Sequence, residues 1–364
     1  MRICLISGEI FAWNKFGGFG RSTRWIGREL VRRGYDVCAV VPRRAGQGRV
    51  EALDGITVYS FPMWSPLAGV SLYHQCNADI YHSQQPSLGT ALAMLAAPRR
   101  KHVVTCRDIK LDQDWHIEQR LPSRPGLAAK LSRLYEDNSL VGWAVRSADA
   151  VVCAYAGTGR KAMQRFGLSV EPAHLPSPIH IPEHVEKSAT PLVCYVGRWD
   201  RRKRPQYFFE LASQRPDIQF VAVGMAQDTE WDAYLRETYS PLPNLTLHGF
   251  ADQFEGGLLS DVFDKSWILI NTSPREGLPT SFLEAAAHRC AVLACVNPDG
   301  FTERYGCHVT ADTLAKGLDE LIQENRWRAL GEQACRDVRA VYESSRAMDQ
   351  HEALYVSLLA TDKR

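Results

Sequence analysis

With 364 residues, 45% of them hydrophobic and 23% charged, the chain is long enough for two packed domains and has an ordinary globular composition. A net charge of +2, with no basic stripe interleaved with aromatics, excludes a dedicated nucleic-acid module, and no run approaches the roughly 18 to 20 apolar residues of a membrane-spanning helix. The charge is unevenly divided: residues 1–184 hold 23 Lys+Arg against 15 Asp+Glu, residues 185–364 hold 20 against 26. Either chance made this split or the first half meets an anionic partner, such as a lipid headgroup or a phosphorylated acceptor.

Taken in order, residues 2–7 predict a short buried strand and 35–41 another, with Trp25, Ile26, Leu30 and Val31 at helical spacing between them. The opening MRICLISGEIF turns polar too soon for a signal peptide, so the expected location is cytoplasmic. The connection carries Gly17-Gly18-Phe19-Gly20, and glycine lets backbone N–H groups approach a phosphate closely. Gly18-x-Gly20-x-x-Thr23 imitates the dinucleotide fingerprint, but the loop from Gly8 is too long for it. The second strand also runs into Pro42-Arg43-Arg44 rather than an acidic residue, which disfavours NAD and leaves an NADP site open. Residues 78–86, ADIYHSQQP, predict a strand whose polar end opens a helix at Pro86; His82 there is either a cleft residue or a buried, hydrogen-bonded one. A strand over 102–106 leads into Asp112, Asp114 and His116, which line a cleft or form a solvated loop. One long helix is predicted over about 126–147, with Lys130 and Arg133 beside Leu131 and Leu134, facing a membrane, a partner or its own domain. Residues 148–154 form a further strand. The ten cysteines show no C-x-x-C pairs and no histidines at zinc spacing, so neither a metal site nor a disulfide framework is expected.

Prolines at 172, 176, 178, 182 and 191 mark 171–191 as an interdomain linker. Beyond it apolar runs recur at 192–196, 218–223, 245–247, 267–270 and 291–295, a second alternating βα series. Two Rossmann-like halves are the architecture implied. The first of these strands runs into Arg198 and then Arg201, Arg202, Lys203 and Arg204, a solvated basic patch or an anion site. The last two bracket NTSPREGLPTSFLEAAAHRCAVLACV, residues 271–296. Gly277 and Pro279 permit a sharp loop, residues 279–281 can start a helix, and Phe282, Leu283 and Ala285 to Ala287 give it an apolar face. Ligands of doubly wound sheets bind beyond such strand ends, at helix N-termini, where Glu276 and Glu284 lie. Ser281 to Glu284 also matches a capping box, in which Glu284 merely returns a hydrogen bond to the backbone.

Glu276-x7-Glu284, between a strand ending in Asn-Thr-Ser and a helix reading Leu-Glu-Ala-Ala-Ala, resembles the donor-site motif of family 4 retaining glycosyltransferases (glycosyl transferases group 1) of the GT-B fold. Gly197-Arg198-x-x-x-x-Lys203 resembles the same family's diphosphate-holding segment, and the likeness runs through almost the whole chain in order. It implies that Arg198 and Lys203 stabilise the leaving diphosphate in place of a divalent metal. It also implies that Glu276 holds the donor sugar, that Gly277, Leu278, Pro279 and Thr280 meet sugar and phosphates, and that Glu284 accepts from the ribose. Gly17 and Gly18 would flank the phosphates and His82 would sit on the catalytic side, although Gln84 stands where a second histidine is often found. Same-face attack, with the leaving phosphate taking the acceptor's proton, is implied rather than a carboxylate nucleophile. Residues 299–303 resemble the family's glycine-acidic segment beside the donor. Arg289 replaces a glycine of the family, where a left-handed backbone would strain it.

The expectation is thus an α/β chain of GT-B type with two Rossmann-like domains facing each other across a cleft. Residues 1–180 would form the acceptor side, 190–342 the nucleotide-sugar side, and 343–364 a terminal helix crossing back. Its activity would be retaining, metal-independent, hexosyl-type transfer from a UDP- or GDP-sugar to a glycan or lipid-linked acceptor in polysaccharide biosynthesis, with no cofactor and no nucleic-acid partner. The basic half would contact the inner face of the membrane peripherally. A nucleotide-sugar hydrolase or epimerase, or a non-catalytic nucleotide-sugar binder, are the alternatives.

Overall fold

The computed structural model describes residues 1–13, 16–120 and 126–360, with the backbone alone at 126–129. Positions 14 and 15 of the glycine loop, 121–125, and the last four residues of the predicted terminal helix lie outside the described residues. The chain divides into two compact units: one takes Met1–Gln119, Gly126–Pro178 and the segment from Ser344, the other is built on Ile179–Glu343.

Unit 1 is an eight-stranded sheet. Its strands are β1 (Arg2–Ile6), β2 (Asp36–Pro42), β3 (Val50–Leu53), β4 (Ile56–Phe61), β5 (Ile80–Ser83), β6 (Lys101–Cys106), β7 (Ala150–Cys153) and β8 (Ala173–His174). They lie in the order β3-β4-β2-β1-β5-β6-β7-β8, parallel except for β3 against β4. Successive residues of β1 serve opposite faces, as the pleat requires. Ile3 and Leu5 pack with Ile26 and Leu30 of the helix Gly18–Arg32 and with Met348 and Tyr355 of the helix Ser344–Ala360. Cys4 and Ile6 pack with Tyr73 and Cys76 of the helix Gly69–Cys76 and with Leu92 and Ala93 of the helix Leu88–Ala96. Both faces being covered, the inner strands read as continuous apolar runs.

Three local expectations are corrected. The helix expected at Pro86 starts at Leu88, because Ser87 is its N-cap in a capping box with Thr90. The single helix expected over 126–147 is two, Gly126–Glu136 and Ser139–Ser147. Asn138 makes the break, its side-chain oxygen accepting from Leu140 N–H at 2.9 Å and Val141 N–H at 3.0 Å. The polar stretch around Asp112, Asp114 and His116 is the helix Asp112–Arg120, its first turn carrying both aspartates against the helix dipole.

Unit 2 is a six-stranded, all-parallel sheet of β9 (Leu192–Val196), β10 (Gln219–Val223), β11 (Leu245–His248), β12 (Ile268–Asn271), β13 (Ala291–Ala294) and β14 (Gly306–His308), in the order β11-β10-β9-β12-β13-β14. Its core holds Phe208, Phe209, Phe220 and the stacked rings of Trp267 and Trp327, 4.6 Å apart. From β9 the chain winds outward through β10 and β11, then returns to lay β12 on the other side of β9. The crevice at such a reversal, beyond the carboxyl ends of the two strands, is where doubly wound sheets bind ligands. Ile179 and Glu343, the ends of the long segment on which the unit is built, pair in an isolated parallel bridge. Among the described residues no helix is long and apolar enough to cross a membrane.

Candidate active site

The reversal in unit 2 falls between β9 and β12, and the residues that follow those two strands form the site. Beyond β9, Gly197 leads into Arg198, a short helical turn Arg201–Lys203, and Arg204 with φ of 52°. Beyond β12 come Thr272, Ser273 and the loop carrying Glu276. The two segments are strapped together, because the Thr272 hydroxyl donates to the carbonyls of both Lys203 (2.9 Å) and Arg204 (2.8 Å). Lys203 Nζ forms an ion pair with Glu276 Oε1, their side chains 22% and 15% exposed. These positions are 73 apart in the sequence and meet only through the β9–β12 pairing.

Three other cations of the run have carboxylate partners of their own. Arg198 Nη1 lies 3.2 Å and Arg202 Nε 3.7 Å from the buried Asp200 carboxylate, while Arg201 stacks over the Trp231 ring, 4.1 Å from its centroid, and pairs with Asp228. The Tyr195 hydroxyl donates to the Arg198 carbonyl at 3.4 Å, and burial, then the Glu276 and Asp200 carboxylates, push its phenol well up and keep it neutral. The Ser273 hydroxyl is buried with no protein partner.

Gly277, Leu278 and Pro279 carry the chain from Glu276 into the helix Thr280–Ala287, whose N-cap, Pro279, makes no side-chain capping bond. Leu278 is buried. Because the helix starts at Thr280, Ser281 and Glu284 fall past the N-cap and N3 positions, which removes the capping-box reading of Glu284. At the other end Arg289 does adopt the left-handed backbone, φ 59°. It completes a Schellman ending, with Cys290 N–H donating to Ala285 C=O at 2.8 Å and Arg289 N–H to Ala286 C=O at 2.9 Å. Downstream, Asp299 and Gly300 are both left-handed, and Asn297 Oδ1 accepts from the N–H groups of Thr302 and Glu303.

The expected residues of unit 1 are placed differently. Gly17 is the N-cap of the helix Gly18–Arg32. The Glu9 carboxylate lies against it, filling the space a Cβ at Gly17 would take, and accepts from Gly20 N–H at 3.1 Å. A protein carboxylate thus sits where the sequence expects a phosphate. His82, expected on the catalytic side, is fully buried, with Nδ1 2.6 Å from the Tyr355 hydroxyl and Nε2 2.6 Å from the Thr105 hydroxyl. Burial, then His351 and Arg107, hold its pKa well below the ordinary value, so the ring is neutral and packed in the core rather than set in an open cleft. Gln84, standing where the second histidine was expected, instead accepts from Arg107, its carbonyl at 2.9 Å from Nε and its side-chain oxygen at 2.6 Å from Nη2.

Sequence reasoning missed Thr272, Asp200, Glu9 and a run of strand-end glycines. Gly197 follows β9, Gly224 follows β10 and Gly249 follows β11; Gly197 N–H donates to Val223 C=O and Gly224 N–H to Gly249 C=O, both at 3.1 Å. A Cβ on Gly224, where φ is 148°, would run into the Gly197 carbonyl. The recurrent strand–glycine junction was the available signal.

Two family models match this chain: the glycosyl transferase 4-like domain over residues 17–176 and glycosyl transferases group 1 over residues 177–335. The chain belongs to the group 1 glycosyltransferases. Its two Rossmann-like units are those of the GT-B architecture. Sucrose-phosphate synthase from Thermosynechococcus elongatus is similar at a TM-score of 0.77 and 18% identity, over 99% of each chain. Anabaena HepE in complex with UDP-glucose is similar at 0.69 and 15%, over 99% of this chain and 100% of that one. The catalytic domain of starch synthase IV from Arabidopsis thaliana, bound to ADP and acarbose, is similar at 0.65 and 15%, over 98% and 99%. No curated protein matches the chain. The glycosyltransferase carries its paired Lys203 and Glu276 beyond the carboxyl ends of β9 and β12 in its second unit.

Proposed function

We propose that this glycosyltransferase moves a hexosyl group from a UDP-sugar, with GDP-sugars as the other donor class, to a glycan or lipid-linked acceptor, with retention at the anomeric carbon and without a metal ion. The observation that carries the reading is the Lys203–Glu276 pair, strapped by Thr272 at the reversal between β9 and β12. In this reading Lys203 and Arg198 meet the diphosphate. As the bond from the anomeric carbon to the leaving oxygen breaks, its electron pair stays on the phosphate, and cations already in place lower the energy of that charge. The acceptor hydroxyl attacks from the same face and passes its proton to the departing phosphate. Glu276 exchanges Lys203 for hydroxyls of the donor sugar, and Glu284 accepts from the ribose. UDP is the donor to try first, since HepE was crystallised with UDP-glucose. A lipid-linked acceptor would bring unit 1 to a membrane, and Trp64, 83% exposed beside exposed Met63 and Leu67, with Arg44 3.7 Å from the Met63 sulfur, is suited to that contact; flotation with anionic vesicles, wild type against Trp64→Ser, tests it.

The deciding experiment is a thermal-shift panel with UDP, GDP and ADP, with and without magnesium, followed by a transfer assay whose product is read by anomeric NMR. Stabilisation by one diphosphate at full strength in EDTA is expected. No shift with any diphosphate, or one that needs magnesium, sinks the donor site as drawn; an inverted product sinks retention; acceptor-independent sugar release makes the protein a hydrolase.

A further inference from the structure

Three of the ten cysteines, far apart in sequence, converge inside unit 1. Cys4 of β1 and Cys38 of β2 are direct partners in the parallel register, on the same face of the sheet. Cys76 is the last residue of the helix that covers that face. The three Sγ atoms lie within 4.8 Å of one another and all three residues are fully buried. If the triangle were equilateral at that limit its centre would lie about 2.8 Å from each sulfur, so a contraction of about half an ångström reaches the metal–thiolate length of about 2.3 Å. Among the described residues no histidine or carboxylate joins the three. The Arg2 guanidinium, at the N-terminal edge of the sheet, brings positive charge near Cys38 and also lies 3.4 Å from the exposed Asp36 carboxylate.

We propose that Cys4, Cys38 and Cys76 form a three-coordinate site for a soft, thiophilic d10 ion, with Cu(I) the ion that fits best. Zinc takes a fourth protein ligand in structural sites, and this cluster offers three. Soft thiolate sets select Cu(I), and a dry all-sulfur pocket supplies nothing for harder ions. Each thiol that becomes a ligand releases its proton to solvent, the copper stays Cu(I) throughout, and Arg2 offsets part of the negative charge left behind. The site lies toward the amino ends of the strands, away from the carboxyl ends, so the ion would brace unit 1 and leave the transfer chemistry alone. The bland alternative is three small thiols packed as ordinary core.

The test is anaerobic titration of the reduced, full-length protein with Cu(I) in competition with bicinchoninate, on the native chain and on chain refolded with the ion present. One equivalent per chain is expected, with copper X-ray absorption reporting three sulfur neighbours. Cys38→Ser should weaken binding at least roughly 100-fold, and Cys307→Ser, outside the cluster, should not. Should Cys38→Ser fail to fold, the sulfur count on wild type decides alone. Less than half an equivalent in both preparations, nitrogen or oxygen neighbours, or wild-type binding that Cys38→Ser leaves untouched would each overturn the site.

Discussion

Lys203 and Glu276 satisfy each other, and a bound donor would have to separate them. Lys203→Ala should therefore lower both diphosphate affinity and kcat/KM, by roughly 10- to 100-fold, because it removes a cation from the leaving group. Glu276→Ala should lower turnover with a smaller loss of affinity; titration calorimetry with UDP beside steady-state kinetics separates the two. Full activity in both variants would place the chemistry elsewhere. His82→Gln should lower the melting temperature and leave the KM for the donor alone, since the ring hydrogen-bonds Thr105 and Tyr355 and packs against the buried His351 ring. The individual residues were readable to different depths. Glu276, Lys203 and Arg198 were singled out by their resemblance to family motifs, and they lie in the segments that follow β12 and β9. Glu9 was not, since nothing local says that its carboxylate folds back eleven residues onto Gly20 N–H. Arg289 stands where the family often has glycine; it does adopt the left-handed backbone, and the two Schellman bonds explain what holds it there.

At the scale of elements, the site depends on two loops being held in register by one hydroxyl. Thr272→Val keeps the shape and takes a hydroxyl donor from two part-buried carbonyls, a loss of about 1 kcal/mol. It should lower the melting temperature by several degrees and loosen diphosphate binding, whereas Thr272→Ser should restore both. Gly224→Ala meets a backbone carbonyl as well as an unfavourable φ, so it should be worse than Thr272→Val in the same melt. Elements that announce themselves by short-range chemistry were open to reading. The β3–β4 hairpin turns on Asp54-Gly55, both at positive φ (52° and 83°), and that dipeptide is a hairpin signal that went unused. The break between the helices ending at Glu136 and beginning at Ser139 was obscured because their apolar spacing runs on across it, while one asparagine side chain does the cutting.

For the molecule as a whole, buried histidines set the response to acid. Burial lowers His351 from 6.5 to about 4 and holds His82, His102 and His288 low as well. Below pH 6.5 the unfolded chain takes up protons that the folded chain refuses. Stability is thus complete above that pH and falls as the pH drops toward about 4. Melting temperature should decline between pH 7 and 5, more gently in His351→Gln, and a flat profile would contradict the neutral interior. The division into two βα series could be read from alternating apolar runs, since each strand is local. The Lys203–Glu276 meeting and the Cys4, Cys38 and Cys76 cluster could not, because sheet order joins them across 73, 34 and 38 positions.

The helix Ser344–Ala360 contributes Met348 and Tyr355 to the core of the unit that begins at Met1, and gives His82 one of its two partners. On the ribosome this has a temporal meaning. Residues 1–178 emerge before the helix that adds Met348 and Tyr355 to their core, while Ile179–Glu343 is a contiguous segment made before that helix. The unit made first is therefore finished last, and in the interval its exposed apolar sheet face is what a nascent-chain chaperone would have to shield.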